Sequence, residues 1–182
     1  MRTSTLLETP SLFTTIGKTT MEILRLRPSN FPTIRLAQLA ALMSKEVKLF
    51  SAIKNTKDIK SLHQFMDVTI SPYWETHYLF DKKSKATKSH IGSSMKNTLL
   101  INAVASVLFA YGKYKDDDSY CERAAKLLES CKPETNWIIT GWKSRGQHPS
   151  NACDTQSLLH LKNEYCNKFR CLECGIGVKI LQ

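Results

Sequence analysis

The sequence predicts an all-α fold: a single-domain helical bundle of about seven helices with a cysteine-rich C-terminus. Three observations predict it. Apolar residues recur at three- and four-residue steps along most of the chain. Alternation with a period of two is nearly absent, and short polar breaks carrying Pro, Asp or Ser separate the periodic runs. With 182 residues, 42% hydrophobic and 23% charged, such a bundle can bury a core unaided by disulfides.

Residues 1–20 are rich in Thr and Ser and show no period, so they are expected to be an irregular segment preceding a helical domain over 21–182. Pro32 suits a first helical position, where its missing N–H costs nothing. Ile34, Leu36, Leu39, Ala40 and Met43 then form a broad apolar stripe. Ser44 is placed to cap a second helix, with Val47, Leu49, Phe50 and Ile53 inward. Thr56 is expected to open a third, with Ile59, Leu62, Phe65 and Met66 on one face. Pro72 breaks the rhythm, and Tyr73 to Phe80 crowds four aromatics and a histidine into eight residues. Leu99 to Gly112 is the most apolar run and the expected centre of the core, through Leu100, Val104, Val107, Leu108 and Tyr111, with Gly112 ending it.

Asp116, Asp117 and Asp118 put negative charge where the next helix begins; the alternative, a cation site, fails because three adjacent residues do not converge. That helix carries Ala124, Ala125, Leu127, Leu128 and Cys131 and stops before Pro133. Asn136 to Trp142 is a short amphipathic element running into Lys143-Ser144-Arg145. The last long helix is expected to bury Leu158, Leu159, Leu161 and Tyr165. Pro149-Ser150-Asn151 before it echoes Pro28-Ser29-Asn30, a similarity of cap rather than a repeat.

Charge is the compositional outlier. Lys and Arg number 26 against 16 Asp and Glu, a net charge of +10. That balance points to a polyanion such as nucleic acid, or to an acidic partner domain. The candidate nucleic-acid contacts are Lys82, Lys83, Lys85 and Lys88 beside the aromatic stretch, and Lys143 and Arg145. Aromatics among lysines can stack bases and hold phosphates, or simply anchor a helix end before a solvated loop. Residues 1–20 contain Glu8, Pro10 and Gly17 but no continuous apolar core of a secretion signal. The longest apolar run, Leu99 to Phe109, is about half the ~20 residues a spanning helix needs. A cytoplasmic protein with reduced thiols, away from membranes, is the expectation.

Three of the six cysteines stand close together as Cys166-x4-Cys171-x2-Cys174. Zinc and iron–sulfur sites both draw thiolates from such short intervals. Gly175 and Gly177 are expected to ease the backbone around an ion, and Cys153 or His160 is the candidate fourth ligand. The alternative is reduced thiols packed as small apolar groups. Cys121 and Cys131 lie in a helical pattern and read as core thiols. Cys171-Leu172-Glu173-Cys174 is also a C-x-x-C pair, but the strand of a redox βαβ unit is missing before it.

The run Arg25 to Ala40, with its Arg-Pro-Ser-Asn-Phe-Pro-Thr-Ile-Arg-Leu-Ala-Gln core, resembles the signature of a bacterial family catalogued only as a domain of unknown function. Tyr73 to Phe80, Leu108 to Lys113 and the terminal Leu161 to Gly177 are similar to it as well, so the resemblance spans roughly Leu24 to Leu181. Members of that family are longer. Their N-terminal half carries Gly-Pro-Asp-Phe and Val-Glu-Ile-His segments that look like a metal-dependent nuclease core. This chain has neither segment and resembles the C-terminal half, while Met1 to Thr20 depart from the family pattern. The resemblance implies a helical accessory module partnering a nuclease-like domain. Two-metal cleavage needs converging carboxylates, and no Asp/Glu pair beside a Lys offers them, so catalysis by this chain alone is not expected.

Overall fold

The computed structural model describes residues 31–46, 48–56, 58–86 and 90–181. The segment 1–20, Pro28-Ser29-Asn30, Val47 and Lys88 lie outside the described residues. Among those described, eight α-helices and one small hairpin form, so the chain is all-α as its periodicity indicates. They are α1 (Pro32–Lys45), α2 (Leu49–Asn55), α3 (Ile59–Phe65), α4, α5 (Asp118–Ser130), α6 (Trp137–Lys143), α7 and α8 (Gly175–Leu181). Helix α4 begins as Ser93–Leu99, passes through a π-helical turn at Leu100–Ala105 and continues as Ser106–Lys115. Helix α7 (Ala152–His160) likewise runs on into a π-helical turn, Leu161–Cys166. The described residues fall into two compact units, 31–39 with 70–86, and 40–69 with 90–181.

In the first unit, α1 covers the face of Ile34 and Gln38, four residues apart, and Arg35 Nη1 donates to Gln38 Oε1 at 2.8 Å. Of the expected stripe only Ile34 is buried; Leu36, two residues on, points to the far side, and Leu39, Ala40 and Met43 are exposed. After a 3₁₀ turn at Pro72–Glu75, strands β1 (His77–Leu79) and β2 (Lys82–Lys83) pair antiparallel. Asp81 turns the chain at φ 59°, a region Asp tolerates better than most residues. Tyr78 is the buried strand residue: its ring stacks on Phe31 at 5.2 Å, its hydroxyl donates to the Lys85 carbonyl at 3.1 Å, and Thr33 Oγ1 donates to the Tyr78 carbonyl. The hairpin stands where a helix end and loop were expected. A three-residue strand is too short to show a period of two.

The second unit holds the main core, where Leu62 and Met66 of the α3 region, Leu100, Ile101, Val104, Ala105 and Leu108 of α4, and Ala124, Leu127 and Cys131 of the α5 region cluster. Leu100 and Leu108 are fully buried, but Val107, expected inward, is 42% exposed. The π-helical turn widens the spiral, so residues four apart (100, 104, 108, 112) stay on one face and Val107 rotates outward. Gly112 does not stop the helix: it is buried, and an added Cβ would lie 2.8 Å from Cys121 Sγ and 3.0 Å from the Asp117 carbonyl oxygen. Its small size lets α5 approach. The helix ends at Asp116, in the left-handed region at φ 54°, and Asp117 then caps α5, accepting from Ser119 N at 3.0 Å.

The two early caps fall elsewhere than expected. Ser44 lies inside α1, donating to the Ala40 carbonyl at 2.9 Å, because α1 runs to Lys45. Thr56 closes α2, and α3 is capped by Asp58, whose Oδ2 accepts from Ser61 N at 2.8 Å. Arg123 on α5 reaches the carbonyls at the end of α2, donating to Ile53 at 2.7 Å and also to Lys54 and Thr56. The last carbonyls of a helix in general lack helical partners, so the guanidinium satisfies a helix terminus and ties α5 to α2.

Candidate functional site

Helix α6 begins at Asn136, whose Oδ1 accepts from Ile139 N at 3.0 Å. Ile139, 1% exposed, anchors the helix inward. The opposite side carries Trp137, which is 75% exposed, and the half-buried Trp142. The helix is closed by Gly146 at φ 85°, whose N–H donates to the Lys143 carbonyl at 3.0 Å. Arg145 Nη1 donates to the Gly141 carbonyl at 2.8 Å, which holds the guanidinium along the helix.

Helix α7 is set by a reciprocal cap. Asn151 Oδ1 accepts from Asp154 N at 2.9 Å, and Asp154 Oδ2 accepts from both the N–H and the hydroxyl of Ser150 at 2.8 Å. The Ser150 N–H is the main reason the Asp154 carboxyl titrates below its ordinary value. Ala152 N donates to the Cys131 carbonyl at 3.0 Å, and Ala152 and Thr155 are fully buried. They, rather than the expected Leu158, Leu159, Leu161 and Tyr165, are the buried residues of this helix; those four are half-buried. Farther along, the π-helical turn makes five-residue bonds: Asn167 N donates to the Lys162 carbonyl at 2.8 Å and Arg170 N to that of Tyr165 at 3.0 Å.

The two helices enclose an open groove of about 390 Å³, lined by Trp137, Gly141, Trp142 and Arg145 from α6 and its C-terminus, and by Lys162 and Cys166 from the π-helical turn. The volume lies at the small end of ligand clefts, about 300–1,000 Å³. Among the described residues neither indole stacks on another ring, in contrast to Trp74, which meets Tyr73 and Phe80 edge-on at 5.2 Å. Lys143, Arg145 and Lys162 have no acidic partner among the described residues. Two acids that follow Lys162 in the chain are already engaged. Glu164 pairs with Lys168 at 2.5 Å, Glu173 pairs with Arg170, and both carboxyls titrate below their ordinary values for that reason. The groove thus combines aromatic surface with uncompensated positive charge.

Of the sequence candidates, Arg145 and Cys166 therefore line a real groove, whereas Lys143 is exposed on α6 outside its lining. Trp137, Trp142 and Lys162 were missed as site residues. The pairing of Trp with Lys and Arg on α6 was a readable signal, whereas Lys162 enters only through the fold. Lys82, Lys83 and Lys85 are exposed on and just after β2, but the nearby rings mainly pack on one another. Tyr73 stacks on His77 at 4.0 Å and 7°.

Among the described residues no group of three or more His, Cys, Asp or Glu side chains could hold a metal ion. The backbone places the three cysteines in different local settings. Cys166 is committed to the groove wall, Phe169 turns the chain at φ 52°, and Cys171 opens a separate 3₁₀ turn, Cys171–Glu173. His160 instead meets the Tyr165 ring edge-on at 6.0 Å, and Cys153 sits in the first turn of α7. Gly177 is required for another reason than expected: an added Cβ would lie 2.3 Å from the Cys171 carbonyl oxygen, whereas Gly175 has open space around it. All six thiols are free, and burial raises the pKa of the one at Cys131.

Residues 4–137 match the model of a family described as protein of unknown function (DUF2851), and the chain belongs to that family. The match takes in most of the N-terminal segment that the sequence set apart from the family pattern. It stops before the groove's α7 wall and the cysteine-rich end. No curated protein and no solved structure matches the chain. No described helix is long and apolar enough to cross a membrane.

Proposed function

We propose that this chain is a helical accessory module that binds nucleic acid through the groove between α6 and the π-helical turn of α7. One observation carries the reading: two indoles without ring partners and two cations without acidic partners among the described residues, Arg145 and Lys162, line the same groove, with Lys143 next to it in the chain. The net charge of +10 supports it, since phosphate binding is driven largely by counterion release. A nuclease-like domain is the partner class that the sequence resemblance suggests.

A second reading, a protein-interaction module, is favoured by a different observation. Phe169, Leu172, Ile176, Ile180 and Leu181 near the C-terminus are all more than half exposed. One titration separates the two. Fluorescence anisotropy with a labelled oligonucleotide across a salt series is expected to show affinity falling steeply with salt. Combined Lys143→Ala, Arg145→Ala and Lys162→Ala substitution is expected to lower affinity and reduce the log–log salt slope by about three. Absence of binding at low salt, or a slope untouched by the triple substitution, rejects the nucleic-acid reading and leaves the interaction reading.

A further inference from the structure

Resting on the nucleic-acid reading, we infer that the groove selects unpaired nucleotides, with a base on the open face of Trp137 or Trp142 and its phosphate at Arg145 and Lys162. Three features converge on a single-stranded occupant. The first is aromatic availability. Trp74 is occupied by two other rings, while Trp137 and Trp142 have no ring partner among the described residues. In a duplex both faces of each base are covered by neighbouring bases, so only an unpaired base can place its face against an indole.

The second feature is size. About 390 Å³ suits a small ligand or a nucleotide segment, whereas a duplex is met by an element inserted into its groove. The third is the ordering of charge. Arg145 is held along α6 by the Gly141 carbonyl, and Lys162 faces it from the π-helical turn, so positive charge borders the aromatic floor on two sides. A backbone threading the groove keeps its phosphates near these cations while bases turn inward. Gly141 makes room at the centre, where an added Cβ would meet only Arg145 Nη1, at 3.6 Å.

The test compares an oligothymidine 15-mer with a duplex of the same length, at low salt, using the full chain. Intrinsic tryptophan fluorescence and anisotropy are both read. The inference expects quenching by the single strand and tighter binding of it than of the duplex. Trp137→Ala and Trp142→Ala are each expected to weaken the single strand about tenfold, with the salt slope unchanged. Trp137→Phe is expected to restore most of that loss, because the ring face is retained. Trp137 is 75% exposed, so its truncation leaves the core intact. Equal binding of both forms, or Trp variants that bind the single strand as tightly as the parent, overturns the inference while nucleic-acid binding stands. Failure to bind either form overturns the reading beneath it.

Discussion

Two π-helical turns form among the described residues, and their surroundings differ in almost every respect. The turn at Leu100–Ala105 has Leu100, Ile101, Val104 and Ala105 each 3% exposed or less. The turn at Leu161–Cys166 buries none of its residues, and two of them line the groove. One extra residue per turn thus serves two purposes. In the core it realigns apolar residues so that one face stays covered along the whole of α4. At the surface it swings Lys162 and Cys166 toward α6. The same backbone irregularity is structural where packing surrounds it and available for binding where solvent does.

The largest effects should fall on the core turn and the helical face that continues from it. Leu100→Ala or Leu108→Ala removes a fully buried side chain and is expected to cost about 2–5 kcal/mol by urea denaturation. Lys162→Ala, in the surface turn, should stay within about 0.5 kcal/mol of the parent. The contrast between the turns breaks if the Lys162 variant loses as much stability as either leucine variant.

An intermediate effect is expected at Gly112, where α4 meets α5. A Cβ there would lie 3.0 Å from a backbone oxygen that cannot rotate away, although Cys121 Sγ can shift. Better helix propensity returns up to about 1 kcal/mol of the overpacking cost. Gly112→Ala should therefore lose about 1–2 kcal/mol in the same assay. A gain in stability instead would mean that α5 is free to move off α4.

Much of the core region was legible because long helices write their burial into the sequence. Leu100, Val104 and Leu108 recur at a spacing a helix can use, and Asp117 caps where the charge pattern places it. The exceptions have physical causes. Val107 turns outward because a π-helical turn changes the period without a sequence signal. The His77–Leu79 strand is too short to alternate. The groove was legible only in part: Arg145 advertises charge locally beside Lys143, but Lys162 arrives from a helix that meets α6 only in the fold. For the cysteines, close spacing permits convergence and does not compel it.

The smallest effects are electrostatic, and they sharpen the same contrast between covered and open regions. Lys96 is 8% exposed and donates to Asp67, and Lys45 Nζ caps the nearby carbonyls of Gln64, Phe65 and Asp67 at 3.0–3.3 Å. The Lys96 hydrogen bond holds the Asp67 carboxyl below its ordinary value. A carboxyl with a lowered folded-state pKa contributes stability above its unfolded value, and that contribution is lost as pH falls through the folded one. The protein should therefore lose stability on acidification below the usual carboxylate range, and Asp67→Asn should flatten that loss. Glu164 is also lowered, by Lys168, but both partners lie on the open surface turn, where solvent screens the pair. Glu164→Gln should leave the acid limb of the urea midpoint nearly as it was. The comparison holds if the Asp67 variant changes the pH slope more than the Glu164 variant. Equal slopes would mean that burial of Lys96 adds nothing to its partner.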